Sequence, residues 1–358
     1  MDMDKPTKII TTNSSSQTIQ TMSPGKVILF GEHFVVYGYP SLIASIEKYF
    51  KVTVKTPAFR KGEIRIDSNL GFTSVKYGEE IQITPLSLVP KFGDVVTKLY
   101  KIIDYLINNH AISPCELIRT AYNKGGLFIK LGSDLPLGGG LGSSSAFCVA
   151  LSASFYYAEH NKLDRTKICN RSIDAEKIIN IETSGADCNI CSFGGIGTFD
   201  KVNGFKRISA NIDNYEFLII NTGVSHDTYS MVERVSKFKK NNSNLFLQLS
   251  KSYFQIYEEG IKAIQKQNLK DLGILINQNH QLLSKLSISN VLIDKIVETC
   301  NSFGALGTKI TGAGGGGCVL SLIDRKDHLS ESKLLARLNE LGLDYFFTRV
   351  DRLGLRLA

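Results

Sequence analysis

The segment DLPLGGGLGSSS at residues 134–145 carries four glycines followed by three serines. Glycines let a backbone approach a ligand closely, and helical spacing begins at Ser143. The N-terminus of a helix presents unpaired N–H groups and the positive end of its dipole, and together these bind phosphate. We therefore predict a phosphate-binding loop at this position. The alternative is an ordinary glycine-rich turn in which a serine caps the helix.

This loop differs from the two commonest nucleotide-binding motifs. No Gly-Lys-Ser/Thr follows the glycines, and Ser143 stands where a dinucleotide fingerprint has its third glycine. A second glycine run, TGAGGGG at 311–317, matches that fingerprint formally. Strand-like residues flank the run on both sides, so the strand-turn-helix context of a Rossmann site is missing. The second glycine run can therefore be interpreted either as a hairpin turn or bulge or as a binding loop.

The elements around these loops indicate an α+β chain of two domains. At 358 residues the chain exceeds what one hydrophobic core usually serves. Strand-like segments predominate before about residue 205 and helical spacing after it, so we predict domains at 18–205 and 206–358, preceded by a flexible polar tail at 1–17. The predicted strands are 26–30, 34–37, 50–54, 63–66, 127–131, 217–220, 307–310, 318–323 and 345–349, and the predicted helices are 95–109, 143 onward, 166–181, 245–264 and 269–286.

Composition narrows the classes of function. Hydrophobic residues make up 43% of the chain and charged residues 21%, which is typical of a soluble globular protein. The net charge of +8 favours acidic partners such as nucleotides or carboxylates. The densest basic cluster, KFKK at 237–240, lacks a recognisable nucleic-acid module, and the most apolar helix candidate, 147–158, is too short for a membrane span. We expect neither a nucleic acid nor a membrane as partner.

The cysteines favour a reduced setting. Seven of them lack regular spacing and no charged-then-apolar leader precedes the first strand, so we expect a cytoplasmic protein without disulfides. Cys188 and Cys191 form a C-x-x-C, but no second ligand pair at zinc spacing accompanies them and the context is unlike thioredoxin. We predict two buried thiols there.

Three segments together resemble the signature of the superfamily of galactokinases, homoserine kinases, mevalonate kinases and phosphomevalonate kinases, the GHMP kinases. They are PGKVILFGEH at 24–33, the glycine loop at 135–145 and KITGAGGGGC at 309–318, and they come in the family's order and at its spacing across nearly the whole chain. The first segment continues as FVVYG at 34–38 and looks like that of the mevalonate kinases, since galactokinases have Arg in place of Lys26.

The resemblance implies the α+β GHMP kinase fold of two domains. The N-terminal domain would bind ATP and have a βαβ topology like that of a small-subunit ribosomal protein. The C-terminal domain would be a ferredoxin-like α/β sandwich, and the active site would lie in the cleft between them. The implied activity is Mg²⁺-dependent transfer of the ATP γ-phosphoryl group to the 5-hydroxyl of (R)-mevalonate in isoprenoid precursor biosynthesis. A homodimer is implied by the family alone.

The resemblance also assigns roles to residues of this chain. Asp187 matches the catalytic aspartate, Lys26 the lysine that reaches both the phosphate and the reacting hydroxyl, and Glu176, with Ser144, the ligands of Mg²⁺. Asn69 is expected near the nucleotide. The implied ATP-binding residues are Lys26, Ser133, Pro136, Gly138, Gly139, Gly140, Leu141, Gly142, Ser143 and Ser144. The implied substrate-binding residues are Glu32, His33, Asp187, Thr311, Gly312 and Ala313.

These residue types suit phosphoryl transfer. A hard cation held by one carboxylate and one hydroxyl, with its other ligands from ATP and water, suits Mg²⁺. A carboxylate such as Asp187 can accept the proton of the acceptor alcohol, while Lys26 stabilises developing negative charge. Without the motifs, the plainer interpretations are a surface lysine, a solvated helix residue for Glu176 and a turn-former for Asp187. For His33 the plainer interpretation is a structural histidine bonded to the backbone.

Two departures from the family pattern and two rival functions remain open. Cys188 stands where many mevalonate kinases have asparagine, and Ser145 replaces a common alanine. The nearest rival is a sister kinase acting on phosphomevalonate, homoserine or a sugar. A second is a non-catalytic nucleotide-binding sensor. The presence of Lys26, Glu176 and Asp187 together argues against the sensor, because binding alone needs no general base.

Overall fold

A computed structural model describes residues 18–56, 60–86, 93–108, 116–136, 138–180, 183–211, 215–224, 228–324 and 328–358. The tail predicted at 1–17 lies outside these ranges.

Two sheets organise the described part of the chain, with strands numbered in chain order. The first sheet consists of β1 (Thr18–Phe30), β2 (Ser41–Lys55), β3 (Glu63–Ser68), β4 (Phe72–Tyr77), β5 (Glu80–Pro85), β6 (Leu127–Ser133), β7 (Ile196–Asp200), β8 (Gly204–Ile208) and β13 (Arg356–Leu357). The second consists of β9 (Glu216–Asn221), β10 (Gly307–Thr311), β11 (Cys318–Ile323) and β12 (Asp344–Arg349).

Helices cover the sheets and connect their strands. They are α1 (Gly93–Asn108), α2 (Glu116–Gly125), α3 (Ser143–His160), α4 (Arg165–Lys177), α5 (Ala186–Phe193), α6 (Thr228–Asn241), α7 (Ser243–Gln265), α8 (Leu269–Lys285), α9 (Val291–Ser302) and α10 (His328–Glu340). Within the described ranges, no helix combines the length and apolarity that crossing a membrane would require.

The first sheet runs in the order β13-β1-β2-β6-β3-β4-β5, and the β7–β8 hairpin adds to β2. Strands β3 and β6 are parallel, and the chain between them passes through β4, β5, α1 and α2; the other neighbours are antiparallel. Helix α3 packs against β1 and β2 and is buried almost all round. Its small side chains permit this close approach, and Thr21 of β1 donates a hydrogen bond to Ala150 O at 2.7 Å.

The second sheet has the order β10-β11-β9-β12 with every neighbouring pair antiparallel. Numbered along the chain, this is the 2-3-1-4 order of a ferredoxin-like sandwich. Strands β10 and β11 are buried along their whole length, and α8 and α9 pack against β10. The predicted α+β class, with a ferredoxin-like order in the second sheet, is confirmed.

One predicted strand is wrong. Residues Phe34–Tyr37 form a 3₁₀ turn, because the backbone reverses at Gly31 (φ 122°) and His33 (φ 60°). The Phe34 ring is fully buried and stacks on Tyr253 with 4.3 Å between ring centroids. The apolar run that suggested a strand therefore supplies a buried anchor in a turn.

One helix boundary differs from the prediction, and the predicted domain boundary is not tested. Helix α4 ends at Lys177, short of the predicted 181, which lies outside the described residues. The predicted domain division after residue 205 falls inside β8 and stays a prediction, while the chain from Val350 onward returns to the first sheet. There Asp351 is buried and accepts hydrogen bonds from the N–H groups of Leu353 and Gly354.

We predict that Asp351→Ala lowers the free energy of unfolding by about 2–4 kcal/mol. Asp351 also pairs with Arg356 at 3.0 Å and accepts from Tyr49 Oη at 2.9 Å, so the substitution leaves one buried and several partly buried donors without their acceptor. Denaturant unfolding measures the change. The control is Asp174→Ala, which removes an exposed pair with Lys177 and should cost no more than about 0.5 kcal/mol. Equal losses in both variants would contradict the account.

Candidate active site

Strand β1 carries Lys26 alongside the glycine loop. The Lys26 N–H donates to Leu141 O at 2.9 Å. Gly142 has φ +73°, and a Cβ added there would lie 2.8 Å from Lys26 Cγ. The lysine side chain is only 5% exposed. A residue without a side chain at position 142 is therefore what leaves room for Lys26.

Lys26 pairs with Asp187 across the loop. Its Nζ lies 3.2 Å from Asp187 Oδ2, and the aspartate side chain is 33% exposed. Asp187 sits in the first turn of α5, just after Gly185 at φ 82°. The helix N-terminus favours a carboxylate at this place. Asp187 is thus the partner that an incoming ligand can reach, and Lys26 holds it from the buried side.

Glu176 lies near the end of α4 and is almost completely buried. Ser145 Oγ donates to its Oε1, and Thr183 Oγ1 donates to its Oε2 at 2.8 Å. The Cys188 thiol also points to Oε2, at 3.5 Å. Burial raises the pKa of Glu176, the negative charge of Asp187 raises it further, and the three hydrogen bonds oppose both effects.

A divalent cation fits this donor set in part. No cluster of three or more His, Cys, Asp or Glu that could hold a metal occurs among the described residues. The carboxylates of Glu176 and Asp187 nevertheless repel each other, and Glu176 is buried. A cation placed between these two carboxylates and the phosphates of a ligand would therefore be stabilised. Mg²⁺ commonly takes one or two protein carboxylates and completes its shell with phosphate and water oxygens. Ser144 is exposed in the first turn of α3, and it is the neighbouring Ser145 that contacts Glu176.

The first turn of α3 presents a site for an anion. Gly142 precedes the helix in the left-handed conformation, and no side chain caps that end. The first backbone N–H groups of the helix therefore face outward with the positive end of its dipole. Gly138, earlier in the loop, is exposed, and Gly139 packs tightly enough that a Cβ there would lie 3.0 Å from Cys318 Sγ.

The strand end before the loop is held by Asn69. Its Nδ2 donates to Ser133 O at 3.2 Å, and Ser133 N donates to its Oδ1 at 2.9 Å. A cavity of 280 Å³ opens beside this pair, lined by Ser133, Pro136 and Tyr345 among others. The structure thus brings together Asn69, Ser133 and Pro136, three residues expected near the nucleotide.

The second glycine run is the turn between β10 and β11, which is the hairpin alternative of the sequence analysis. It lies against the first loop, since a Cβ at Gly140 would be 3.2 Å from Thr311 O and 3.6 Å from Gly312 Cα. His33 donates from Nε2 to Ala313 O at 2.8 Å. Burial lowers the pKa of His33, and this hydrogen bond opposes the shift. This hydrogen bond to a backbone carbonyl agrees with the interpretation of His33 as a structural histidine.

The predicted contact of Glu32 with a substrate is not supported by the geometry. Its side chain is 0% exposed and forms an ion pair with Lys309, which is equally buried. Burial raises the pKa of Glu32 and pairing with Lys309 opposes this; burial lowers the pKa of Lys309 and pairing with Glu32 opposes that. The carboxylate has no surface left for a ligand.

The cysteine prediction is confirmed for Cys188 and Cys191. Both are buried and free, and burial raises the pKa of each thiol well above its ordinary value. None of the described cysteines forms a disulfide. Cys115 lies outside the described residues.

Three contacts were missed by the sequence analysis. Lys309 stood in a quoted motif without a role, Ser145 was named only as a departure from a common alanine, and Thr183 was not singled out. The motif position of Lys309 was a usable signal. Ser145 meets Glu176 only because α3 packs against α4, and Thr183 meets it through the fold of the loop between α4 and α5, so neither contact is marked by a local pattern.

Comparison with known proteins places this arrangement among characterised folds. The family model for the GHMP kinases N terminal domain matches residues 108–195, and the model for GHMP kinases C terminal matches residues 261–342. The mevalonate kinase of Dictyostelium discoideum is 30% identical, with 90% of this chain and 92% of that protein covered. The mevalonate kinase of Methanocaldococcus jannaschii is 31% identical, with 92% and 98% covered.

A solved structure agrees over almost the full length. The crystal structure of L. major mevalonate kinase in complex with R-mevalonate superposes with a TM-score of 0.75 at 25% identity. The match covers 98% of this chain and 99% of that one.

We predict that Gly142→Ala weakens ATP binding by at least ~10-fold, because the new Cβ would displace the Lys26 side chain from its place beside the loop. Fluorescence or calorimetric titration with ATP measures the affinity. The control is Gly78→Ala, which has a similar left-handed backbone (φ +60°) but open space around the added Cβ. Both variants carry the backbone strain, and only the first should lose affinity. Unchanged affinity in Gly142→Ala would show that Lys26 tolerates displacement.

Proposed function

The chain belongs to the mevalonate kinase family of the GHMP kinases, and from this premise we propose that it transfers the γ-phosphoryl group of ATP to the 5-hydroxyl of (R)-mevalonate, giving ADP and 5-phosphomevalonate. The observation that carries the proposal is the Lys26–Asp187 pair, 3.2 Å apart beside a glycine loop and an uncapped helix N-terminus. An acid–base pair next to a phosphate-binding element is what direct phosphoryl transfer to an alcohol requires.

In the proposed mechanism Asp187 accepts the proton of the acceptor hydroxyl. Its partly exposed carboxylate can meet that hydroxyl while Lys26 keeps one oxygen oriented. The Lys26 ammonium then lies close to both the developing alkoxide and the transferring phosphoryl group, and its negligible exposure strengthens this electrostatic effect. The N–H groups at the start of α3 hold the ATP phosphates.

Mg²⁺ is part of the proposal. When bound, it would neutralise phosphate charge and align the transferring group with the acceptor. Glu176 supplies the protein carboxylate for it, and Ser144 is proposed as the hydroxyl ligand. Ser145 and Thr183 orient the carboxylate by hydrogen bonds to its two oxygens. A cytoplasmic location and a homodimeric state stay predictions from the sequence.

An acceptor panel tests the proposed function. Purified protein with Mg²⁺ and ATP is offered mevalonate, phosphomevalonate, homoserine or galactose separately, and release of ADP is followed in a coupled assay. The proposal expects ADP release with mevalonate and only background with the other three. Release with another acceptor alone would identify a sister kinase, and silence with all four would favour the sensor.

We predict that Asp187→Asn lowers kcat by at least ~100-fold and leaves ATP affinity within a few-fold, because the amide keeps the size of the side chain but accepts no proton. Steady-state kinetics and ATP titration measure the two quantities. The matched control is Asp174→Asn on the surface of α4, which should keep wild-type turnover. Near-normal kcat in Asp187→Asn would remove Asp187 from the role of base.

A further inference from the structure

The pair formed by Glu32 and Lys309 joins the two sheets at the cleft. Glu32 follows the end of β1, and Lys309 lies in the middle of β10. Lys309 Nζ donates to the Glu32 carboxylate, to Ile28 O at 3.2 Å and to Ile310 O at 2.6 Å. All three donors of the ammonium group thus have acceptors, two of them on the segment formed by β1 and the residues just after it.

Stability alone does not account for this pair. Both side chains are fully buried, so each charge has lost its hydration, and such pairs are often no more stable than apolar side chains of the same size. Glu32 Oε2 has no hydrogen-bond partner among the described residues, so even the pairing is incomplete. What the pair does provide is a fixed geometry, since a buried ammonium tolerates few other arrangements.

The fixed geometry of this pair bears on how the glycine turn at 311–313 lies against β1 and the residues just after it. Ile28 N donates to Thr311 Oγ1 at 3.0 Å, and His33 donates to Ala313 O at 2.8 Å. Lys309 therefore lies at one end of a short series of contacts that runs from β10 through the glycine turn. On the other side, Lys26 lies two residues before Ile28 on β1. The position of Lys26 relative to the turn at 311–313 thus depends on how β1 and β10 are held together.

We propose that Glu32 and Lys309 are positioning residues that hold the glycine turn at 311–313 against β1, so that the turn and Lys26 face the same acceptor alcohol. This inference rests on the proposed function and adds to it a role for two residues that do not touch substrate. The buried hydrophobic core runs continuously through both sheets, so losing the pair would leave the molecule folded and shift the glycine turn relative to β1. The acceptor would then sit imperfectly between Lys26, Asp187 and the phosphate.

A double-mutant cycle separates positioning from stability. Lys309→Met and Glu32→Met each leave one buried charge unpaired and should lower the melting temperature by roughly 10 °C. The double variant removes both charges and should recover most of that loss. Its kcat with mevalonate should nevertheless remain at least ~10-fold below wild type, with the KM for ATP within about 3-fold. Recovery of kcat together with stability would overturn the proposal.

The control is Lys76→Met, which removes an ion pair between β4 and α1 outside the site. It should lower the melting temperature and leave kcat unchanged. This result would exclude a loss of stability by itself as the cause of the lower kcat in the double variant. A further readout is independent of turnover: the Ile28 amide, bonded to Thr311 Oγ1, should exchange hydrogen at least ~10-fold faster in the double variant. If the wild type proves inactive with mevalonate, this exchange rate still decides the inference, and unchanged protection overturns it.

Discussion

The close approach of two glycine-rich turns, one from each sheet, sets the position of every charged group in the site. A side chain at Gly140 would come within 3.2 Å of Thr311 O, and one at Gly142 within 2.8 Å of Lys26. Two backbones come this near only where side chains are absent. Lys26 on β1, Asp187 on α5 and the start of α3 pack together on the first sheet, and the meeting of the turns brings residues 311–312 of the second sheet beside them.

Burial then decides how these charges act. Lys26 is nearly inaccessible and Asp187 is not, so the pair presents its carboxylate to the cleft and keeps its ammonium in a medium of low polarity. Glu176 adds a second carboxylate that is buried among Ser145, Thr183 and Cys188. Glu176 therefore adds negative charge close to the anion-binding start of α3, and this combination suits a polyphosphate that is bound together with a cation.

The parts of the fold and site that were predictable from sequence are those fixed by local pattern. The glycine loop before Ser143 and the strand that carries Lys26 are such cases, since a run of glycines and a run of apolar residues can each be recognised from consecutive residues. The segment at 34–37 was misjudged because the stacking of Phe34 on Tyr253, far along the chain, overrides its strand-like composition. The motif position of Lys309 was a usable signal, but its pairing with Glu32 was not predictable, because burial of both charges depends on two sheets meeting.

In the proposed reaction the phosphoryl group passes directly from ATP to the alcohol, with Asp187 as base and never as a phosphorylated intermediate. The stereochemical course at phosphorus tests it most directly, using ATP made chiral at the γ-phosphorus by oxygen isotopes and mevalonate as the acceptor. One in-line displacement inverts the configuration, and inversion is the result this account predicts. Retention would mean two displacements through a covalent phosphoenzyme, and it would contradict the role given to the Lys26–Asp187 pair.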